Sequence, residues 1–65
     1  MSNPLPRLLI VEDDPTIADN LFAFFETRGF AVDAAYDGRT ALQRLASASF
    51  EAVILDVGLP ALDGL

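Results

Sequence analysis

The chain contains no cysteine and no histidine. The first absence excludes a disulfide framework and a thiolate metal site. The second removes imidazole as a ligand, and the two together exclude Ser/His and Cys/His nucleophile systems. Cations are scarce as well, with 4 basic residues against 10 acidic ones and a net charge of -6. Such a balance repels phosphate backbones and offers no basic stripe, so this chain by itself is expected to bind no nucleic acid. No apolar run approaches the ~20 residues that cross a bilayer, and no membrane association is expected. The start, Met1-Ser2-Asn3-Pro4-Leu5-Pro6-Arg7, carries two prolines and no apolar core of signal-peptide length. Residues 1–6 therefore read as a loose leader, with a cytoplasmic location as the default. Whatever chemistry the chain performs must rest on carboxylates.

What is abundant is apolar surface, 52% of 65 residues with a mean hydropathy of +0.38. A chain this short makes one small domain that buries only about 60% of its unfolded surface. Two apolar runs end abruptly in acid: Leu8-Leu9-Ile10-Val11 in Glu12-Asp13-Asp14, and Ala52-Val53-Ile54-Leu55 in Asp56. Short unbroken runs of Val, Ile and Leu read as buried parallel strands. Between them, Asp14-Pro15 opens a helix in which Ile17, Leu21, Phe24 and Phe25 form an inward face, and Gly29 stops it. Phe30 to Tyr36 reads as a weaker second strand, and Asp37-Gly38 turns into a helix whose Ala41, Leu42, Leu45 and Ala46 share one face, ending at Ser47-Ala48-Ser49. Glu51 to Leu55 is the third strand, followed by an irregular loop marked by Gly58, Pro60 and Gly64.

Strand, helix, strand, helix, strand is the first part of a doubly wound α/β fold with a parallel sheet. With strand one central, the order is 2-1-3, and the chain reverses direction between strands one and three. That reversal is where open parallel sheets bind ligands, beyond the carboxyl ends of the strands. Glu12, Asp13 and Asp56 are expected to meet there. Three carboxylates in close quarters repel one another, and a hard divalent cation relieves the conflict. Magnesium takes an octahedral shell of oxygens and is commonly bound by one or two carboxylates plus phosphate oxygens. A carboxylate beside such an ion can attack phosphorus and form an aspartyl phosphate, which makes Asp56 the candidate nucleophile.

The acid pair Glu12-Asp13, the turn Asp37-Gly38 and the segment Asp56-Val57-Gly58-Leu59-Pro60-Ala61-Leu62-Asp63-Gly64 occur in an order that resembles the receiver domains of bacterial two-component response regulators. The resemblance covers nearly the whole chain and implies a flavodoxin-like fold. It makes Asp56 the phosphoacceptor for a histidine kinase and places Mg2+ on Glu12, Asp13, Asp56 and the Gly58 backbone carbonyl. It implies a signalling module rather than an enzyme, of the kind that controls transcription. The wording of the last segment is most similar to regulators with a winged-helix DNA-binding domain downstream. Residues 7–65 then correspond to an incomplete receiver domain. The family's strands four and five are absent, and with them the Ser or Thr and the Lys that contact the phosphoryl group. On this reading strand three becomes an apolar edge at Ala52 to Leu55, an invitation to homo-oligomers, and the chain is not expected to switch.

Simpler roles compete for several of these residues. Asp14 is expected to cap a helix rather than bind metal, and Asp19, Asp33 and Asp63 to be solvated. Phe22, Phe24, Phe25, Phe30 and Phe50 are expected to pack rather than to form a cofactor box. A dehalogenase-like hydrolase with an aspartate nucleophile would want a second acid two residues on, where this chain has Gly58. An interaction module that keeps the receiver surface without phosphotransfer is the alternative function.

Overall fold

The computed structural model describes residues 4–55. Three strands, β1 (Arg7–Val11), β2 (Ala31–Ala35) and β3 (Ala52–Leu55), alternate with two helices, α1 (Pro15–Thr27) and α2 (Gly38–Ser47). All pairings are parallel and the sheet order is β2-β1-β3, as expected from the sequence. Right-handed crossovers in this order set the two helices on opposite faces of the sheet. The central strand is sealed from water, with Leu8, Leu9, Ile10 and Val11 each at most 2% exposed. An unbroken apolar run is therefore what this position demands, since both faces of β1 are covered. Leu9 and Val11 pack with Ala35 and Ala41 in a cluster that Phe50 flanks. Strand alternation then leaves Leu8 and Ile10 to the α1 face.

Local signals set both ends of α1. Asp14 is the N-cap and Pro15 the first helical residue. At the other end Gly29 adopts φ +92°, its N–H donates to the Glu26 carbonyl at 3.1 Å, and the Phe30 N–H donates to the Phe25 carbonyl at 3.2 Å. This is a Schellman motif, and its usual apolar contact is present as an edge-on pairing of Phe25 and Phe30 with ring centroids 5.8 Å apart.

The inward face of α1 differs from the expected one. Ala18 is fully buried and Leu21, Phe22 and Phe25 are half-buried, whereas Ile17 is 42% and Phe24 48% exposed. The helix turns Ala18 toward the sheet, while its other alanine, Ala23, is exposed. Phe24 packs laterally instead, edge-on to Phe25 and beneath the Arg28 guanidinium. The apolar stripe of α2 is also largely uncovered: Ala41 is buried, but Leu42 is 69% and Leu45 42% exposed, and Ala46 is exposed. Only the part of this stripe that lies over β1 and β2 meets apolar partners.

Asp33, at the middle of β2, is not simply solvated. It pairs with Arg7 at 2.8 Å, while the Arg7 guanidinium lies 4.8 Å from the centre of the Phe50 ring. One side chain thus links β1, β2 and the approach to β3. As expected, β3 forms an edge, with Val53 45% and Leu55 70% exposed.

Candidate functional site

The acidic end of the sheet is built from the backbone outward. β1 is central, so the residues that follow Val11 emerge at the carboxyl edge between β2 and β3. The Glu12 N–H donates to the Ala35 carbonyl at 3.0 Å, which extends the β1–β2 ladder past the end of β1. β1 and β3 end level, Leu55 standing opposite Val11 in the register. Sheet order and register together make this the reversal point at which such folds bind ligands.

Glu12 is 2% exposed. A carboxylate so far from water is costly unless it is hydrogen-bonded or beside a cation. Its Oε2 accepts the Asp14 N–H at 2.9 Å. Asp13 is exposed at the same edge. Asp14 is occupied as expected: its Oδ1 accepts the N–H groups of Thr16 at 2.9 Å and Ile17 at 3.4 Å, so it serves the helix. The structure therefore brings Glu12 and Asp13 to one edge. Asp56 and Gly58 lie outside the described residues, as does Asp63.

The chemistry of these donors suits magnesium, which selects hard oxygen ligands and tolerates a small number of carboxylates when water and phosphate complete its shell. Glu12 and Asp13 supply two such groups, one buried and oriented by a backbone N–H, one open to water. Among the described residues no three acidic, histidine or cysteine side chains gather as a metal site. Those two acids fit as part of a site whose remaining expected ligands, Asp56 and the Gly58 carbonyl, are not among the described residues.

Sequence reasoning names Asp37 at this edge only as part of the Asp37-Gly38 turn and does not name Arg39. Asp37 is the N-cap of α2, its Oδ1 accepting the Thr40 N–H at 2.7 Å. That backbone hydrogen bond, foremost, holds the Asp37 carboxyl below the usual aspartate range, with a smaller contribution from the charge of Arg39. The signal was legible as an Asp before a helical period, three residues ahead of Thr40. The other residue is Arg39, in the first turn of α2.

The response regulator receiver domain family model matches residues 8–65. Among curated proteins, the chain is 48% identical over 65 residues to the transcriptional activator protein PfeR of Pseudomonas aeruginosa, covering all of this chain and 21% of that protein. It is 48% identical over 59 residues to the transcriptional regulatory protein QseB of Haemophilus influenzae, covering 91% of this chain and 27% of that protein. Response regulator MprA of Mycolicibacterium vanbaalenii is 44% identical over 59 residues, covering 91% of this chain and 26% of its own length. The chain thus spans about a quarter of these relatives. No solved structure matches it.

Proposed function

Because the chain belongs to the response regulator receiver domain family, we propose that it is the phosphoacceptor part of a two-component transcriptional regulator, with Asp56 taking a phosphoryl group from a histidine kinase. The observation that carries this reading is the buried Glu12 followed by Asp13 at the carboxyl end of the central strand, at the reversal point of a β2-β1-β3 sheet. In the transfer, an Asp56 carboxylate oxygen forms a bond to phosphorus as the phosphorus–nitrogen bond of the phosphohistidine breaks, and the departing imidazole takes up a proton. Bound by Glu12, Asp13, Asp56 and the Gly58 carbonyl, Mg2+ would offset the charge of the transferring group. Glu12 is held by its N–H on the Ala35 carbonyl and by the Asp14 N–H on its carboxylate, and Asp13 is the residue between Glu12 and Asp14.

Residues 7–65 are assigned to the receiver domain and residues 1–6 to a leader, with cytoplasmic action. Receiver domains are signalling modules rather than conventional enzymes. The 65-residue stretch taken alone is proposed to receive a phosphoryl group without transmitting a switch, and to self-associate through the β3 edge. Intact-mass analysis after incubation with acetyl phosphate and magnesium tests the central point. A metal-dependent phosphoryl adduct is expected, absent from Asp56→Asn. An adduct that survives in that variant would move the acceptor elsewhere. Magnesium binding without any adduct would favour the interaction module.

A further inference from the structure

Asp37 and Gly38 form the one Asp-Gly peptide among the described residues, at the junction of β2 and α2. Such a pair can close on itself. The aspartate Cγ and the nitrogen of the next residue are the two ends of a five-membered ring, and a following glycine sets no side chain in the path of that nitrogen.

The fold leaves this peptide open where it protects the others. Asp37 is exposed, and a Cβ placed on Gly38 would meet nothing within 4 Å. Gly38 is the first residue of α2, so its N–H is one of those that an α-helix leaves without an intrahelical acceptor. Attack by that nitrogen therefore breaks no helical hydrogen bond. After Asp13, by contrast, the Asp14 N–H is held by Glu12 at 2.9 Å, and after Asp14 comes Pro15, which has no N–H. Asp19 lies inside α1, where the Asn20 N–H belongs to the helical ladder, and the Asp33 carboxylate is held by Arg7 at 2.8 Å.

What restrains Asp37 is its cap. Its Oδ1 accepts the Thr40 N–H at 2.7 Å, which draws the carboxylate onto the helix end and favours the ionised form, from which oxygen leaves poorly. That restraint lasts only while the first turn is closed, and fraying ends open at little cost.

We propose that Asp37 is a modification site, converted to isoaspartate through a succinimide when the first turn of α2 opens. The Gly38 nitrogen bonds to Cγ, and a carboxyl oxygen departs as water with the proton of the nitrogen and that of the carboxyl. Water then adds back to the ring. Addition at Cγ, with rupture of its bond to nitrogen, restores aspartate. Addition at the former main-chain carbonyl, with rupture of that carbon's bond to nitrogen, leaves the chain running through Cγ. Neither step needs an oxidant, a cofactor or a second protein. The product cannot cap α2 as before. The Asp37 carbonyl that accepts the Ala41 N–H at 3.1 Å becomes a carboxylate outside the main chain, and the side chain that holds Thr40 becomes backbone. Ala41 is the residue by which α2 enters the cluster of Leu9, Val11 and Ala35, so the modification loosens the helix from the sheet.

The experiment incubates the chain at neutral pH, folded and in urea, beside Gly38→Ala, which sets a methyl next to the attacking nitrogen without a clash in the fold. Trypsin cuts after Arg28 and Arg39, and so releases Gly29 to Arg39 apart from the second Asp-Gly pair, Asp63-Gly64. Electron-transfer fragmentation of that peptide tells isoaspartate at Asp37 from isoaspartate at Asp33. Conversion is expected at Asp37 far ahead of Asp33, several-fold faster in urea than in the folded chain, and several-fold slower in Gly38→Ala than in wild type under both conditions. The isoaspartyl form, once separated, is expected to have a lower urea midpoint than the unmodified chain. No isoaspartate in the folded chain, or equal rates folded and unfolded, would overturn the inference. So would comparable conversion at Asp33, or a Gly38→Ala variant that converts as fast as wild type. An isoaspartyl chain as stable as the unmodified one would overturn the loosening of α2.

Discussion

Asp37 shows how much one side chain can do at a helix start. Its carboxylate accepts the Thr40 N–H, and that bond holds its proton affinity below the ordinary aspartate value of about 3.9. A carboxyl whose folded pKa is depressed adds stability that is present above its unfolded pKa and is lost as pH falls through the folded value. Asp37→Ala is therefore expected to lower the urea midpoint at neutral pH, whereas the midpoints of variant and wild type should converge below the carboxylate range. Denaturation followed by circular dichroism at the two pH values checks this, and a gap that persists in acid would refute it. Asp14 and Asp37 show how far single residues could be read in advance. The Asp-Pro pair announced the first cap, because Pro15 suits only the opening turn. At Asp37 the following Gly38 drew attention to the turn and concealed the cap. The partnership of Arg7 with Asp33 was not legible, since it joins residues far apart in sequence that only the β1–β2 register makes neighbours.

At the scale of the element, α1 depends on its ending as much as on its face. Gly29 stands at φ +92° with nothing within 4 Å of where a Cβ would sit. A substitution there meets no clash and is opposed only by the backbone conformation. Gly29→Ala is expected to destabilise the fold by about 1–2 kcal/mol, read from the midpoint of chemical denaturation. A neutral outcome would mean that the chain re-forms the end of α1 around a negative φ. Strand and helix positions were legible almost to the residue, because β1 ends where acids begin and α1 lies between a proline and a glycine. The orientation of α1 was not. Periodicity records which residues share a stripe, and it cannot say which side of that stripe meets the sheet. Here Ala18 meets it, while Ile17 and Phe24 stay exposed.

For the whole molecule, the uneven coverage of the sheet matters most. β1 is sealed, while Leu42 and Leu45 of α2 and Val53 and Leu55 of β3 stay open to water. An apolar edge strand without an interrupting charge recruits other strands, and β3 has none between Ala52 and Leu55. The opposite edge, β2, has Asp33 at its midpoint. The 65-residue chain is expected to sediment as a dimer or larger species at micromolar concentration, and Val53→Lys to shift it toward monomer. High salt should favour the associated form by screening the net charge of -6. A wild type that is monomeric and cooperatively folded at all concentrations would rule out self-association. Of the candidate site, the sequence made legible the arrival of Glu12 and Asp13 at the carboxyl edge of the central strand, whereas Asp56 and Gly58 lie outside the described residues.

The burial of β1 has a consequence for biosynthesis. This strand leaves the ribosome before either of its neighbours, yet it is the one that needs both. Until residue 55 has emerged, Leu8 to Val11 lack their β3 partners Ala52 to Leu55. During that interval the nascent chain carries its most apolar segment with an unpaired flank, a state prone to aggregation.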